Sequence, residues 1–275
     1  MKKILFFAAA AMLAACNNDS SEIIETEYSN VTLTFSPYDV EPLTRTATSI
    51  ADVVSHLDVW LVEGGNVTDL HQSNGDAGFG TINVTLDKTK TYTLYAVAHK
   101  CTDDATLVDG VISFPDDKVT HSMFYTTTFT PANTTSLSCL MQRIVAAFRV
   151  ETSDAVPAAC KKVRFTTVGV FDRWNVTTGA AHALDRVNVV NITSTAQDGT
   201  VAITIYNIVT AEQTTHTITV EALDADDAML QTRTFSDVPL RNGYKTTYRG
   251  SFFTDAPVTT SFIVEDWNTY DVVAF

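Results

Sequence analysis

The sequence predicts an all-β protein that is built from two tandem β-sandwiches. Threonine accounts for 43 of the 275 residues, whereas glycine accounts for 11 and proline for 7. Abundant threonine beside valine and isoleucine is typical of β-sheets, because branched side chains fit a pleated surface. Apolar and polar residues alternate along most of the chain, for example in Val31–Phe35, and this period of two indicates strands with one buried face. Short polar clusters separate these stretches, as expected for a sandwich or barrel.

The N-terminus of the chain has the pattern of a bacterial lipoprotein signal peptide. Lys2 and Lys3 precede the apolar run Ile4–Leu13, and two alanines then lead to Cys16. Because the run is too short to span a bilayer, we expect residues 1–15 to be removed. The thiol of Cys16 would then carry a diacylglycerol and its amine a further acyl chain, and two or three chains together anchor a protein stably. The pattern thus predicts a surface-exposed lipoprotein of the outer membrane, and an ordinary secretory signal with a chance cysteine is the alternative.

The predicted elements of the first sandwich follow a polar tether. Residues 16–28 contain four acidic residues and lack periodicity, which indicates a flexible connection between lipid and domain. A short helix is expected at Ser49–Ser55, where Ser49 can cap the apolar positions, and a second helix is expected near Asp117–Tyr125. The first sandwich is expected to cover residues 29–150, with strands at Val31–Phe35, Leu57–Val62, Ile82–Leu86 and Tyr92–Ala98.

One long apolar stretch, Leu137–Val150, lies at the predicted end of the first sandwich. Periodicity does not separate helix from strand here. The β-rich surroundings and the charged Arg143 and Arg149 favour one strand, or two strands separated by a bulge. The second sandwich is expected to cover residues 151–275, with strands at Val163–Phe171, Val187–Ile192, Val201–Val209, His216–Leu223, Leu230–Phe235, Tyr248–Phe253, Phe262–Trp267 and Val272–Phe275.

The charge of the chain argues against some partners. The formal net charge is −14, and it becomes −16 when Lys2 and Lys3 are removed with the signal. A chain this acidic, without a basic cluster, is not expected to bind nucleic acid or an anionic lipid surface. We attribute the acidity to solubility outside the cell.

The residue types that most often carry chemistry show no catalytic or metal-binding pattern. Cys101, Cys139 and Cys160 follow Cys16, and because an odd number cannot all pair, three buried free thiols are favoured over a bridge such as Cys101 with Cys139. The six histidines lack metal-ligand spacing, and the acidic pairs lack the glycine and terminal glutamate of a calcium loop. Neither a nucleophile elbow nor a phosphate loop occurs. The sequence therefore predicts a protein without metal, cofactor or enzymatic activity.

The three tryptophans offer a carbohydrate-stacking interpretation. Trp60 lies in an alternating strand, Trp267 lies in the last predicted strand unit, and Trp174 lies in the loop-like segment Asp172–Asn175. Core packing is favoured for each, but Trp174 is the best candidate for an exposed ring that stacks on a sugar. A surface glycan-binding lipoprotein of a nutrient-uptake system is therefore one function that the sequence leaves open.

Five landmarks along the chain resemble the fimbrillin family of the Bacteroidales, which comprises the subunits and anchors of type V pili. They are the lipoprotein motif that ends at Cys16, Thr44–Thr46, Arg143–Ala146 within the apolar stretch, Val238–Gly250, and Val264–Trp267. The resemblance implies two transthyretin-like, Greek-key β-sandwiches and a non-enzymatic role in cell adhesion at the bacterial surface or in a fimbrium.

The resemblance also implies a route of assembly. In polymerising members an arginine-specific protease cuts after an early arginine and removes the first strand, and a strand from a neighbouring subunit fills the exposed groove. Here the cut would fall between Arg45 and Thr46, the lost strand would contain Val31–Phe35, and Phe262–Phe275 would be the donor. Anchors of the family instead keep their first strand and their lipid, here on Cys16, so the roles of subunit and anchor both stay open. The expected partners are other pilus subunits, the membrane through the lipid, and a host protein or glycan.

Overall fold

The computed structural model describes residues 27–38, 49–193, 200–254 and 262–266, and all structural statements below concern these residues. They form an almost entirely β structure, which confirms the predicted fold class. The predicted positions Cys16, Arg45, Thr46 and Trp267 lie outside them.

The strands, in chain order, are β1 (Tyr28–Pro37), β2 (His56–Glu63), β3 (Asn66–Ser73), β4 (Thr81–Asp87), β5 (Tyr92–His99), β6 (Thr106–Val108), β7 (Val111–Ser113), β8 (Met123–Phe129), β9 (Ser136–Arg143), β10 (Val145–Thr152), β11 (Lys162–Asn175), β12 (Gly179–Asn191), β13 (Ala202–Ile208), β14 (Thr214–Leu223), β15 (Met229–Leu240), β16 (Tyr244–Gly250) and β17 (Phe262–Asp266).

The first sandwich is a seven-stranded sheet that folds over on itself, with the strand order β3-β2-β5-β8-β9-β1-β4. β8 and β9 pair at only two positions, Met123 with Arg143 and Phe124 with Gln142, and the sheet divides there into two layers. Apolar side chains from both layers, such as that of Leu33, are buried between them. The alternation that predicted these strands is therefore the alternation of core-facing and outward-facing side chains.

One helical turn, α1 (Ile50–Val53), connects to β2. The Oγ of Ser49 accepts a hydrogen bond from the Ala51 N–H (3.3 Å), and the Asp52 carboxylate accepts one from the Ser49 N–H (3.1 Å). Each of the two residues thus satisfies a backbone donor of the helix start, which is a capping box. The helix predicted at Ser49–Ser55 is confirmed.

The helix predicted near Asp117–Tyr125 is wrong. A 3-10 turn covers Pro115–Asp117, and β8 begins at Met123. Residues 126–128 are three consecutive threonines, and their branched side chains favour a strand over a helix. In the strand Met123 and Phe129 are buried, whereas alternate threonines are exposed.

The second sandwich is built in the same way. Its strand order is β15-β14-β11-β13-β10-β16-β17, and β12 also pairs along β11. β11 and β13 meet at a single pair, Phe171 with Ile208, where the sheet turns into its second layer. Aromatic rings fill the space between the layers: the ring centroids of Phe148 and Phe235 are 5.9 Å apart, and those of Phe235 and Tyr248 are 4.6 Å apart. These distances are within the favourable range for aromatic pairs.

The apolar stretch Leu137–Val150 forms two strands that belong to different sheets. β9 ends at Arg143, the buried Ile144 follows, and β10 begins at Val145 in the second sheet. Every residue from Val145 to Phe148 is buried, because β10 is an inner strand with both faces covered. The change of sheet therefore comes at Ile144, within a continuous apolar run that has no turn residue to mark it.

A hairpin from the first half of the chain joins the second sheet. β6 and β7 are connected by Asp109–Gly110, whose φ angles of 50° and 74° suit a two-residue hairpin turn. β7 pairs with the end of β11, which places Ile112 opposite Trp174. The hydrophobic cluster around this hairpin contains side chains from both sandwiches, including Trp60 and Ile208. The two sandwiches therefore share a buried core.

The cysteines that the structure describes are buried and form no disulfide, as the sequence favoured. Burial raises the pKa of Cys139 to about 12 and also raises the pKa of Cys160. Both groups therefore stay as unreactive thiols near neutral pH, since the thiolate is the nucleophilic form.

Candidate functional site

The first strand occupies an inner position between two partner strands. β1 pairs antiparallel with β4, where Leu33 is opposite Ile82, and parallel with β9, where Phe35 is opposite Cys139. A strand with neighbours on both edges cannot leave without exposing two rows of backbone N–H and C=O groups. Removal of β1 would therefore leave an open slot between β4 and β9.

The inner face of β1 is part of the core of the first sandwich. Val31 and Leu33 are fully buried and Phe35 is 3% exposed, and all three pack in the cluster that includes Cys139 and Met141. Burial of such a side chain contributes about 1.5–3 kcal/mol. The floor of the slot would thus be apolar, and a strand with large apolar side chains at alternate positions would be needed to fill it.

The outer face of β1 carries polar contacts that set its register on β4. Thr32 Oγ1 donates a hydrogen bond to Asn83 Oδ1 (2.7 Å), and Thr85 Oγ1 donates one to Asn30 Oδ1 (2.7 Å). A shift of one residue would break both bonds and turn the apolar face of the strand outward.

The expected cleavage position follows β1 in the sequence. Arg45 and Thr46 lie between the described residues Tyr38 and Ser49, in the segment that joins β1 to α1. A cut after Arg45 would therefore separate β1 covalently from the rest of the chain. Hydrogen bonds and packing alone would then hold the strand in place.

The described part of the expected donor, β17, lies in the second sheet of its own chain. It pairs antiparallel with β16 and does not lie beside Val31–Phe35. Phe262 packs against Phe235, with ring centroids 6.1 Å apart, whereas Ile263 and Val264 are 40% and 41% exposed. β17 is the last strand in the order of its sheet, so it has fewer bonds to lose than an inner strand and is the easier of the two to detach.

Neither of the two tryptophans that the structure describes presents an open ring for stacking. Trp60 is 1% exposed and lies in the core. Trp174 is half-buried at the end of β11, and its ring packs against Gly179 and against Phe124, with ring centroids 5.8 Å apart. Its indole Nε1 is buried and has no hydrogen-bond partner in the part of the chain that the structure describes. The structure therefore places Trp174 at the joint between the sandwiches and not on an exposed aromatic platform.

A buried charge network lies on β2 and its neighbours, where the sequence indicated no site. The fully buried Asp58 accepts hydrogen bonds from His71 Nδ1 (2.6 Å), His99 Nε2 (2.7 Å) and the backbone N–H of Ala105 (3.1 Å). The second ring nitrogen of His71 lies 3.0 Å from Asp69 Oδ1. Because both of its ring nitrogens face carboxylates, His71 is positioned to carry a positive charge.

The charge on His71 is favoured by its surroundings. Burial alone would lower the pKa of His71, but the hydrogen bond to Asp58 and the charges of Asp58, Asp69 and Asp104 together raise it. One atom each of Asp58, His71 and Asp104 also lie within 4.8 Å of one another, which is close enough to hold a metal ion. Asp58 already accepts three hydrogen bonds, and His71 would have to release it to bind a metal. The contacts therefore favour an ion-pair network.

Part of this network could have been found in the sequence. The two-residue turn Gly64–Gly65 sets the register of the β2–β3 hairpin and places His71 opposite Asp58. His99 on β5 and Asp104 beyond it are brought to Asp58 by tertiary packing, which no local pattern announces.

No helix in the described part of the chain has the length and apolar character needed to span a membrane.

Comparisons with known proteins place the chain in a family and confirm its fold. A family model described as "Family of unknown function (DUF6562)" matches residues 25–271, and no curated protein matches the sequence. A candidate cell adhesion protein from Bacteroides ovatus has a similar structure, with a TM-score of 0.53 and 16% identity over 87% of this chain and 98% of that chain. The fimbrial anchor protein Mfa2 from Porphyromonas gingivalis has a TM-score of 0.52 and 11% identity, also over 87% of this chain and 98% of that chain.

A candidate adhesin from Bacteroides thetaiotaomicron has a TM-score of 0.54 and 10% identity over 90% of this chain and 98% of that chain. At these identities the similarities show the fold, and the fold expected from the fimbrillin resemblance is confirmed. The extent of the family match shows that the chain belongs to the DUF6562 family.

Proposed function

We propose that this protein is a non-enzymatic cell-surface lipoprotein of the fimbrillin type, which serves as a pilus subunit or as its anchor and assembles by β-strand addition. The observation that carries the proposal is the position of β1, an inner strand whose three buried apolar side chains fill the core between β4 and β9. The fold shared with a fimbrial anchor protein and a candidate cell adhesion protein supports the surface role by analogy.

The two roles differ in what happens to β1. In an anchor, β1 stays in its slot and the acyl chains on Cys16 hold the protein in the outer membrane. In a polymerising subunit, a cut after Arg45 releases β1 together with the lipid, and a strand from a neighbouring subunit takes its place. Backbone hydrogen bonds would give the affinity of that contact, and alternate apolar side chains would give its register.

The C-terminal segment Phe262–Phe275 is the donor in this proposal. Its described part, β17, is at the end of the second sheet and exposes Ile263 and Val264. It carries the large apolar residues Phe262 and Val264 two positions apart, as the apolar floor of the slot requires. The donor and the slot lie in different sheets of one chain, so exchange would connect two copies.

N-terminal sequencing and acyl-chain analysis of sheared cell-surface material tests the proposal. A chain that begins at Thr46 without lipid identifies a polymerising subunit, and an acylated Cys16 identifies an anchor. For a subunit, Arg45→Ala should abolish the new N-terminus and the polymer, whereas Arg241→Ala, at an exposed arginine in the second half, should leave both unchanged. Surface material with neither an acylated Cys16 nor a Thr46 terminus would contradict the proposal.

A further inference from the structure

A cleft of about 600 Å³ lies between the segment 116–120 of the first half and strands β11, β12 and β13 of the second sheet. This volume is within the usual range for small-molecule sites. The cleft is separate from β1 and its slot, since none of its lining residues belongs to β1, β4 or β9.

One wall of the cleft is the inner face of β12. Residues two positions apart share a face of a strand, and Leu184, Arg186 and Asn188 all line the cleft. Between them in sequence, the exposed Asp185 does not line the cleft, whereas the exposed Val187 borders it. Arg186 is only 6% exposed, although arginine is rarely buried without a partner.

Three hydrogen-bond donors in this cleft are buried without an acceptor among the described residues: Arg186 Nε, Arg173 Nε and Asn188 Nδ2. Arg173 Nε lies 3.9 Å from Asp172 Oδ1, which is beyond hydrogen-bond distance. Each unsatisfied donor costs about 1–3 kcal/mol, and a charged one costs more. Each of the three donors could be satisfied by an acceptor oxygen of a ligand.

The carboxylates near Arg186 do not supply that oxygen. Asp172 is 2.8 Å from His182 Nδ1, and Asp116 is 3.3 Å from Lys118 Nζ. Burial lowers the pKa of Arg186, and the charges of Asp172 and Asp117 act in the opposite direction. In the described part of the chain, however, neither carboxylate forms an ion pair with Arg186 within 4.0 Å. The exposed Asp117 remains at the rim as an acceptor for a ligand.

We propose that this cleft binds the carboxylate and hydroxyl groups of an acidic sugar of the uronic acid type. The guanidinium of Arg186 matches a carboxylate in a two-bond, planar arrangement, Asn188 and Arg173 donate to further sugar oxygens, and Asp117 accepts from a sugar hydroxyl. An acidic peptide offers carboxylates but lacks the ring hydroxyls that Asp117, Asn188 and Arg173 would bind. The inference names a ligand for the adhesive surface role proposed above and rests on that role.

Isothermal titration calorimetry on the full-length chain tests the site, with galacturonic acid as the probe, galactose as the matched neutral sugar and a glutamate-rich peptide as the competing ligand class. We expect galacturonic acid to bind at least about tenfold more tightly than galactose, since the charge-assisted bonds to Arg186 are then made. Equal affinity for the two sugars, absence of galacturonic acid binding, or tighter binding of the peptide would overturn the proposal.

Variants on two sides of the cleft separate binding from folding. Arg186→Met should weaken galacturonic acid binding at least about tenfold, whereas Arg164→Met, at an arginine paired with Glu221 outside the cleft, should leave it unchanged. Asp117→Asn is a second variant, because Asp117 is exposed and its φ of 51° suits asparagine. It should weaken binding of both sugars, because a neutral amide oxygen accepts from a hydroxyl more weakly than a charged carboxylate does.

Unchanged binding in both cleft variants would overturn the proposal. N-terminal processing at Arg45 is a separate measurement on the same cells. If galacturonic acid does not bind although the protein is cleaved after Arg45 or acylated on Cys16, this inference alone is overturned. If galacturonic acid binds although the protein is neither cleaved nor acylated, the proposed pilus role alone is overturned.

Discussion

Asp58 Oδ1 lies 2.6 Å from His71 Nδ1 across the β2–β3 hairpin, and the carboxylate is fully buried while the imidazole is partly exposed. The second oxygen of Asp58 accepts from His99 Nε2, and His99 Nδ1 in turn accepts from the Cys101 N–H (3.1 Å). Burial alone would lower the pKa of His99, but the hydrogen bond and charge of Asp58 raise it to about 9. The Cys101 N–H opposes this charge, because it needs a lone pair on His99 Nδ1, whereas both ring nitrogens of His71 face carboxylates and make His71 the clearer cation. The burial of Asp58 depends on both rings.

Loss of the Asp58 charge should be costly and should change the pH dependence of stability. The free energy of unfolding of Asp58→Asn should fall by about 3 kcal/mol, since a buried ion pair loses one partner. Asp69→Asn, at an exposed carboxylate beside the same histidine, should cost less than about 1 kcal/mol. Chemical denaturation at pH 6 gives both values, and equal costs would contradict the assigned roles.

The raised pKa of His71 fixes the sign of the pH effect. Its contribution to stability should be fully present below pH 6.5, the ordinary value, and should be lost as the pH rises through the higher folded-state pKa. Asp58→Asn should flatten this alkaline decline. The same decline in the variant would show that another group causes it.

His121 should govern stability on the weakly acidic side. Its Nδ1 donates to the Val53 carbonyl and its Nε2 accepts from Arg143 Nε (2.9 Å), and burial together with the charge of Arg143 lowers its pKa to about 3. Its contribution is therefore present above pH 6.5 and lost as the pH falls toward 3. From pH 6.5 to 5, before carboxylates with lowered pKa values titrate, the free energy of unfolding should fall by up to about 1.4 kcal/mol per pH unit.

A non-titrating side chain tests this assignment. His121→Gln should remove the decline between pH 6.5 and 5, whereas His182→Asn, at an exposed histidine with a φ of 61° that asparagine adopts readily, should keep it. A decline that survives in His121→Gln would contradict the prediction.

The inner face of β1 should carry most of its stabilising effect. Leu33→Ala should lower the free energy of unfolding by about 2–5 kcal/mol, since a fully buried leucine leaves a cavity. Thr34→Ala, at the next and exposed position, should cost less than about 0.5 kcal/mol. Urea denaturation of the two variants measures both effects, and similar costs would mean that β1 does not hold the core together.

Cys139 should report whether the slot of β1 is open. It is fully buried opposite Phe35 and should not react with a thiol reagent in the intact chain. After cleavage at Arg45 and release of β1, labelling of Cys139 should rise at least about tenfold, because its pKa falls and access opens. Mass spectrometry of peptides resolves it from Cys160, which lies in the core of the second sandwich and should stay unlabelled. A protected Cys139 after release of β1 would show that the slot closes.

The sequence predicted best where structure is local. The alternation of Val31–Phe35 and the capping residue Ser49 act within a few residues, and both are present as predicted. The prediction at Leu137–Val150 was less complete, because an inner strand buried on both faces loses the period that separates helix from strand. The predicted helix near Asp117–Tyr125 failed because β8 begins inside that segment, at Met123, and continues into branched threonines that favour a strand.

The candidate sites depend on contacts that the sequence does not display. Asp58 and His71 are cross-strand neighbours because the turn at Gly64–Gly65 sets the register of the hairpin, and this pairing can be worked out from the sequence. Arg186 has no such local signal. Its face of β12 alternates like that of any other strand, and only the packing of segment 116–120 against the second sheet makes it a buried guanidinium in a cleft.

The β6–β7 hairpin makes the order of synthesis matter for folding. The ribosome releases Ile112 well before Trp174, so the hairpin exists for a time without the strand that it will join. Each of its strands is only three residues long, which limits mispairing with other chains during that interval. Final docking of the hairpin on β11 then couples the two halves, and we expect the chain to unfold in one cooperative transition instead of two.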